Sequence, residues 1–337
     1  MVKSNDRIFY ACQAVVIQAP TGTTVSSTNV VRGLQSVGMS SNFSLDQVFE
    51  IGQLEIYENV EDIADVEVTL EKVIDGEQLI FSLASNTLCR TDLVAAAKSR
   101  CDVYLAIYDD ATSNATGLVR NVCWNSGMYT SSVSYSYSVD GSATESVTLV
   151  GNDKFWNSDA NQTGTDAATQ FTLTGVQSGF DGTDTPISGV VRRVDVDLSA
   201  STLPPIVEEQ RGDLAGDNNL HVQSISVSAD FGQENILELG RFGPYAKFVS
   251  FPIEVSSEFE VIATSGDLKS VSGAGENLTN DPITIVDTAG TVLTLGTKNK
   301  LSSISYSGGD TGGGNATISY SFTNFNSLLV DGGGAGS

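Results

Sequence analysis

The sequence predicts a mainly β fold (α+β) made of two tandem, duplicated β-sandwich or barrel-like domains, with one short helix in the first. Apolar and polar residues alternate over many short stretches, which is the pattern of half-buried strands. Charged residues make up only 17% of the chain, and the abundant Ser, Thr, Val and Tyr favour sheet surfaces over helices. A long pattern of residues also occurs twice, which indicates an internal duplication.

The duplicated pattern runs from Gln35 to Tyr57 and again from Gln223 to Tyr245. The two copies keep a constant spacing of 188 positions (35 to 223 and 57 to 245), and most apolar residues are replaced by apolar residues. A weaker similarity pairs 66–68 with 253–255 and 133–137 with 318–322. The predicted organisation is a first domain at 1–156, a linker or surface excursion at 157–188, a second domain at 189–331 and a flexible tail at 332–337.

Each predicted element follows from a local pattern. In 101–109, valine, leucine and isoleucine face one side while tyrosines and an alanine face the other, and in 133–139 apolar residues alternate with serines. Similar patterns predict strands at 9–18, 66–74, 146–150, 190–198, 222–229 and 283–286. One helix is predicted at 93–98, where Thr91 can cap the first turn and Asp92 favours the positive end of the helix dipole.

The net charge of the chain argues against a nucleic-acid-binding protein. There are 41 acidic and 17 basic residues, for a net charge of −24, whereas a nucleic-acid binder needs a basic face. The N-terminal residues lack the apolar run of a signal peptide, and no stretch approaches the roughly 18 apolar residues of a membrane span. We therefore expect neither secretion nor a membrane-spanning segment.

The sequence predicts no catalytic, cofactor or metal site. The single histidine, His221, has no G-x-S-x-G motif nearby, so a serine-histidine triad is not expected. The segment from Gly33 to Gly38 has the glycine spacing of a phosphate-binding loop, but Met39 stands where the lysine belongs. Without a C-x-x-C pair, the four cysteines are expected to be buried free thiols, or else to form a disulfide: Cys12, Cys89, Cys101 and Cys123.

The segment 48–63 mixes large apolar residues with carboxylates. One face of a strand cannot bury all of its apolar residues, because they occur at both odd and even positions. The segment is predicted to be a long loop that folds against a neighbouring subunit, and the alternative is a strand, turn and strand with exposed apolar residues. Its recurrence in the second copy favours an interface, with these predicted residues: Phe49, Ile51, Leu54, Ile56, Tyr57, Leu237, Leu239, Phe242 and Tyr245.

Three runs of residues carry a resemblance to a known family: FEIGQLEIYENVED at 49–62, DVEVTLEK at 65–72 and TESVTLVGN at 144–152. They resemble tail tube proteins and related virion structural proteins of tailed bacteriophages. The resemblance covers most of the first copy and, through the duplication, the second. It implies a subunit, made in the host cytoplasm, that self-assembles into stacked rings around a DNA-conducting channel in the virion tail.

The resemblance also implies the partners. One-domain members form hexameric rings, so a two-domain chain implies a pseudo-sixfold trimer, with a hexamer left open. Implied partners are copies of the chain itself and the tail sheath, tape measure and baseplate proteins, while DNA passes without specific binding. Two alternatives remain: a tail hub or completion ring, and a two-domain carbohydrate-binding or adhesin module that uses exposed aromatic side chains, namely Trp124, Tyr129, Trp156 and Tyr306.

A ring of this kind leads to two expectations about its sheet. Its edge strands must pair between subunits, because closure removes exposed edges, and the strands that carry Tyr135, Tyr137, Tyr320 and Phe322 are predicted to form that inter-subunit sheet. Strand positions that face the channel are predicted to carry Asp, Glu, Ser and Thr, with few Lys or Arg, because a basic wall would hold phosphates.

Overall fold

The computed structural model describes residues 7–20, 29–87, 90–108, 119–157, 187–210, 220–273, 278–309, 311 and 313–332. The linker predicted at 157–188 and the tail predicted at 332–337 lie almost entirely outside these residues, and Cys89 lies outside them too.

Nineteen strands and three short α-helices form the described part of the chain. The strands before residue 158 are β1 (Gln13–Gln18), β2 (Leu34–Asn42), β3 (Leu45–Phe49), β4 (Ile56–Glu61), β5 (Asp65–Val73), β6 (Arg90–Asp92), β7 (Arg100–Tyr108), β8 (Val119–Ser138), β9 (Thr144–Gly151) and β10 (Asp153–Asn157). Those after residue 186 are β11 (Val222–Asp230), β12 (Gln233–Ile236), β13 (Ala246–Val249), β14 (Glu254–Ile262), β15 (Thr284–Val286), β16 (Val292–Thr294), β17 (Lys300–Ser307), β18 (Thr317–Phe325) and β19 (Leu329–Asp331). The helices are α1 (Ile80–Ala84), α2 (Leu93–Ala96) and α3 (Pro205–Glu208).

An eleven-stranded antiparallel sheet forms the body of the protein. Its main path runs β2–β5–β9–β8–β11–β14–β18–β17. The long strand β8 holds several partners: β7 and β10 pair with its first part, and β9 and β11 pair with its second part. Strand β1 completes the sheet by pairing with β7. The strands of both predicted domains therefore belong to one sheet, joined where β8 meets β11.

Three smaller sheets complete the fold. One has four strands in the order β15–β16–β19–β6, so a strand near the C-terminus pairs with one from the first half. Beside this pair, the backbone N–H of Leu93 donates to the carbonyl of Leu328 at 2.9 Å. The other two are hairpins, β3–β4 and β12–β13, each paired only with itself in the described residues.

The core also draws on both halves. One cluster of buried apolar residues includes side chains from β5, β8, β11, β14 and β18. Across the halves, the rings of Phe81 and Phe231 lie 6.0 Å apart, and the hydroxyl of Tyr137 donates to Asp287 Oδ2 at 3.3 Å. The boundaries 1–156 and 189–331 stay a prediction; in the folded chain the two ranges share a sheet and a core.

The prediction of a mainly β fold is confirmed, with corrections in single elements. The helix predicted at 93–98 exists as α2, but its N-cap is Asp92, whose Oδ1 accepts from Val94 and Ala95, and not Thr91. Helices α1 and α3 were not predicted, because four or five residues are too few to display helical periodicity. The strand predicted at 190–198 is wrong, since only single bridges occur there.

The pairing registers repeat between the halves. Leu45 pairs with Glu61 as Gln233 pairs with Val249, each 188 positions further along. The bulge at Gln35, between β2 and β5, recurs at Gln223 between β11 and β14. Strands β2 and β11 therefore occupy equivalent places, as do β5 and β14.

The end of the repeat differs from the sequence prediction. β9 lies between β5 and β8, and β18 lies between β14 and β17. The bulge in β8 between Thr130 and Ser132 recurs in β17 between Leu301 and Ser303. This pairing aligns SSVSYS at 131–136 with SSISYS at 302–307. The match of 133–137 with 318–322 is therefore wrong, and β8 is equivalent to β17.

Candidate functional site

The eight-strand path of the large sheet ends in β2 and β17, and no strand of the described residues pairs with the outer edge of either. This corrects the prediction of an inter-subunit sheet at Tyr135, Tyr137, Tyr320 and Phe322. Strand β8 lies between β9 and β11, and β18 lies between β14 and β17, so both edges of each strand are already paired within the chain. All four side chains are buried. The physical reason is that each predicted strand was read alone, whereas an edge is a property of the assembled sheet.

Apolar side chains on β17 and β2 are more exposed than their equivalents on β8 and β11. Tyr306 is 54% exposed, whereas its equivalent in β8, Tyr135, is 1% exposed. Ile304 is likewise half-buried, whereas Val133 is buried. At the other edge, Met39 of β2 is half-buried and its equivalent Val227 in β11 is fully buried. In each case the buried member lies where β8 meets β11, and the exposed member lies on a free edge.

One face of the eight-strand path is polar. Residues opposite each other in neighbouring strands share a face, so the registers define this surface strand by strand. Strands β2, β8, β9, β17 and β18 contribute mostly serine and threonine to it. The carboxylates come from β5, β11 and β14: Asp65, Glu67, Glu71, Asp230, Glu254, Glu258 and Glu260. Among the described positions of this polar face, Lys300 is the single basic residue.

Equivalent hydrogen bonds recur across this polar face. Ser36 Oγ donates to Glu71 Oε2 at 3.4 Å, and Ser224 Oγ donates to Glu260 Oε2 at 3.2 Å. The second pair stands at the positions that repeat the first. The carboxylates therefore remain on the surface as acceptors, and the face is acidic in both halves.

A buried charged cluster fixes the opposite face of the sheet to α1. Glu145, opposite Lys72 in the register of β5 and β9, accepts hydrogen bonds from the N–H groups of Ile80 at 2.6 Å and Phe81 at 3.1 Å. It also accepts one from the hydroxyl of Tyr135 at 3.0 Å. Burial raises the pKa of Glu145 above its ordinary value, and the positive charge of Lys72 opposes that rise.

Lys72 is itself fully buried and lies 3.3 Å from Asp75, with the carbonyl of Gln78 accepting from its Nζ at 3.0 Å. Burial raises the pKa of Tyr135 well above its usual range, and the adjacent Glu145 adds to that rise. The side chains of Lys72, Asp75, Tyr135 and Glu145 are all buried, and the cluster holds α1 on the sheet.

The predicted interface residues lie on the two hairpins. All nine are exposed, and Ile51, Leu54 and Leu239 are at or above 100%. Within the single chain, the segment 48–63 forms a strand, a turn and a strand, with most of its apolar side chains exposed. A two-stranded hairpin has little stability alone in water. Whether a neighbouring subunit covers these residues stays a prediction.

The remaining candidate residues do not form a site. Cys12, Cys101 and Cys123 are buried free thiols, as predicted. No group of three or more potential metal ligands occurs in the described residues. The described helices include none long and apolar enough to cross a membrane.

The aromatic residues proposed for sugar binding are not brought together. Trp124 stacks on Tyr104 with ring centroids 6.2 Å apart, inside a small apolar cluster. Trp156 lies on β10, which pairs with β8, whereas Tyr306 lies on β17, four strand positions beyond β8. At about 4.8 Å per strand this is roughly 19 Å, too far for one stacking platform.

Comparison with known proteins gives structural neighbours only. No protein-family model and no curated protein matches the sequence. The structure is similar to the tube-terminating cap of the anti-feeding prophage, with 13% identity, a TM-score of 0.34, and coverage of 47% of this chain and 96% of that chain.

It is also similar to the sheath–tube complex of the PVC extracellular contractile injection system in its extended state, with 12% identity and a TM-score of 0.31, covering 46% of this chain and 94% of that chain. A third neighbour is the anti-feeding prophage baseplate, with 10% identity and a TM-score of 0.32, covering 45% and 97%. Each neighbour thus corresponds to just under half of this chain.

Proposed function

We propose that this chain is the structural subunit of a phage-type tail tube, and that copies of it close into a ring by pairing β17 of one chain with β2 of the next. One observation carries the proposal. The two halves of the chain are joined by β8 and β11, and the equivalents of these strands, β17 and β2, are the two ends of the eight-strand path, whose outer edges have no strand partner in the described residues. The junction inside the chain is therefore a template for a junction between chains.

The template fixes the register of the contact. Within the chain, Val227 pairs with Tyr135 and Ser228 with Ser134. In the equivalent contact between chains, Met39 would pair with Tyr306 of the neighbouring chain, and Ser40 with its Ser305. This contact is antiparallel and head-to-tail, and such contacts generate a ring when the rotation closes. It also covers the half-exposed apolar residues of both edges.

The closed ring would turn the polar face of the sheet towards a channel. Glu67 and Glu71 on β5 and Glu258 and Glu260 on β14 would then line the channel together with serine and threonine. Carboxylates repel phosphates within about 8 Å at physiological salt, so DNA could pass without being held. The phage resemblance implies six domains per ring, which three copies of this chain would supply.

The proposal is purely structural and assigns the chain no catalysis, cofactor or metal. Rings would stack through the exposed hairpins β3–β4 and β12–β13, whose apolar side chains have no cover within the described chain. Sheath, tape measure and baseplate proteins would be the further partners of such a tube, inside a virion tail. A tail hub or completion ring would use the same ring contact but would not stack into long tubes.

Cross-linking tests the ring contact directly. The double variant Ser40→Cys with Ser305→Cys should form disulfides between chains under mild oxidation, because directly opposed strand residues bring Cβ atoms to about 4.5–5.5 Å. The matched control is Ser40→Cys with Ser303→Cys, which lies two residues out of register. Cross-linked chains in the first variant and far fewer in the control support the contact. Equal yields in both would contradict it.

Electron microscopy and native mass measurement distinguish the roles. Open-ended tubes with a fixed axial repeat favour the tube subunit, whereas isolated rings favour the hub or completion ring. A ring mass of three times the 35.4 kDa chain supports the trimer, and six times that mass supports the hexamer. A monomer at every concentration would overturn the ring altogether.

A further inference from the structure

Phe231 is a buried aromatic residue at the junction between the two halves. It follows β11 directly, and its backbone N–H donates to the carbonyl of Ser131 at 2.8 Å. Its side chain is fully buried and packs against Phe81 of α1, with ring centroids 6.0 Å apart. The residue thus extends the contact between β11 and β8 from the backbone into the core of the first half.

The equivalent residue of the first half has no such cover. Phe43 follows β2 at the position 188 residues before Phe231 (43 and 231), and it is 75% exposed. One backbone hydrogen bond recurs at both places. Asp62 N–H donates to the carbonyl of Ser44 at 3.0 Å, and Ser250 N–H donates to the carbonyl of Gly232 at 3.4 Å, so each hairpin is closed at the same place.

In the second half, a cleft lies against the strands that are equivalent to those around Phe231. It has a volume of about 240 Å³ and is lined on the sheet side by Leu301 and Phe322. These residues are the equivalents of Thr130 and Leu149, which lie in the first half beside the carbonyl that Phe231 binds. On the other side the cleft is lined by Pro205 and Ile206 of α3.

We propose that Phe43 of one chain inserts into this cleft of the neighbouring chain, between α3 and the end of β17, as Phe231 inserts within the chain. The inference rests on the proposed ring contact and adds to it a side-chain anchor. In the template register, Asn42 lies opposite Ser303 of the neighbour, so Phe43 follows at Ser302, the equivalent of Ser131. The occupant is therefore a second copy of this chain.

The size and chemistry of the cleft fit a phenyl ring. An apolar cavity of about 150 Å³ is enough to bind benzene, so 240 Å³ accommodates the ring with space to spare. The lining also includes Glu209, Lys269, Thr279 and Asp281, so a large part of the wall is polar. Incomplete desolvation reduces the gain, and we expect Phe43→Ser to raise the concentration needed for ring formation by about tenfold.

The anchor is tested by substitutions that spare the folded subunit. Phe43→Ser should weaken ring formation, measured by sedimentation velocity, and Phe43→Leu should restore most of it by keeping an apolar side chain. Thermal unfolding of the monomer should change little in either variant, because Phe43 is largely exposed in the single chain. Ring formation by Phe43→Ser at the wild-type concentration would overturn the inference.

Cross-linking separates the anchor from the ring itself. Phe43→Cys with Ile206→Cys should give disulfides between chains, and the control Phe43→Cys with Ile262→Cys should not, because Ile262 lies at the opposite end of its strand pair. If Ser40→Cys with Ser305→Cys cross-links and Phe43→Cys with Ile206→Cys does not, the ring stands and the anchor is wrong. If neither pair cross-links, the ring contact fails and the anchor fails with it.

Discussion

The two hairpins give the sharpest test of stacking between rings. In the double variant Leu54→Asp with Phe242→Asp, one exposed apolar tip on each hairpin becomes a carboxylate. Leu54 is 101% exposed and Phe242 is 71% exposed, so neither side chain stabilises the single chain by burial. The free energy of unfolding of the monomer should therefore change by no more than about 0.5 kcal/mol.

Assembly should respond much more strongly. A fully buried side chain of this size stabilises a contact by about 1.5–3 kcal/mol, so the loss of two in each chain removes about 3–6 kcal/mol. Because 1.4 kcal/mol corresponds to a factor of ten, the concentration needed for stacking should rise by about a hundredfold to ten-thousandfold. Sedimentation velocity and negative-stain microscopy measure this change, and urea unfolding of the monomer measures its stability.

The matched control keeps the hairpins apolar. Leu54→Met with Phe242→Leu should stack almost as the wild type does, because an apolar side chain remains at each position. If the aspartate variant forms tubes at the wild-type concentration, these tips are not buried between rings. If its monomer unfolds more easily by several kcal/mol, the hairpins contribute to the fold of the single chain, which also contradicts the reasoning.

Four further predictions concern the sheet. Glu145→Ala should lower the free energy of unfolding by about 3–5 kcal/mol, because it leaves the buried N–H groups of Ile80 and Phe81 and the hydroxyl of Tyr135 without their acceptor, while Glu145→Gln keeps an acceptor and should cost less. Burial raises the pKa of Glu145 above its ordinary 4.5, so the folded chain binds the proton more tightly than the unfolded chain does. The wild type should therefore gain stability relative to Glu145→Gln as the pH falls from 7 towards 4.5, measured by urea unfolding. A stability difference that stays constant with pH would refute this. Glu258→Lys should make assembled tubes retain duplex DNA, and log affinity should fall against log salt with a slope of about 0.9 for each phosphate contacted. The charge-matched control is Asp153→Lys, which lies off the polar face of the sheet. Equal DNA retention by both variants would contradict an acidic channel. Hydrogen exchange should slow on assembly in β2 and β17 and stay unchanged in β11, and equal rates in both states at β2 would remove the edge contact.

Local patterns in the sequence were enough to predict the strand content and the repeated segments. The alternation in 222–229 and 133–139 corresponds to β11 and the second part of β8, because a half-buried strand records its two faces in period two. The constant spacing of 188 from Gln35 to Tyr57 corresponds to matching registers in the two hairpins. The short helices α1 and α3 left no comparable signal, since each has fewer than two turns.

The candidate contacts between chains could be identified only from the tertiary structure. The sequence by itself determined a β-rich, acidic chain with repeated hairpins and serine-rich strands, because composition and periodicity are local properties. It could not determine that Tyr135 lies in an interior strand while its equivalent Tyr306 lies at a free edge, because both stand in nearly identical runs of residues. That difference arises only when β11 pairs with β8 and no strand of the described chain pairs with the outer side of β17, since an edge is defined by which strands lie next to it.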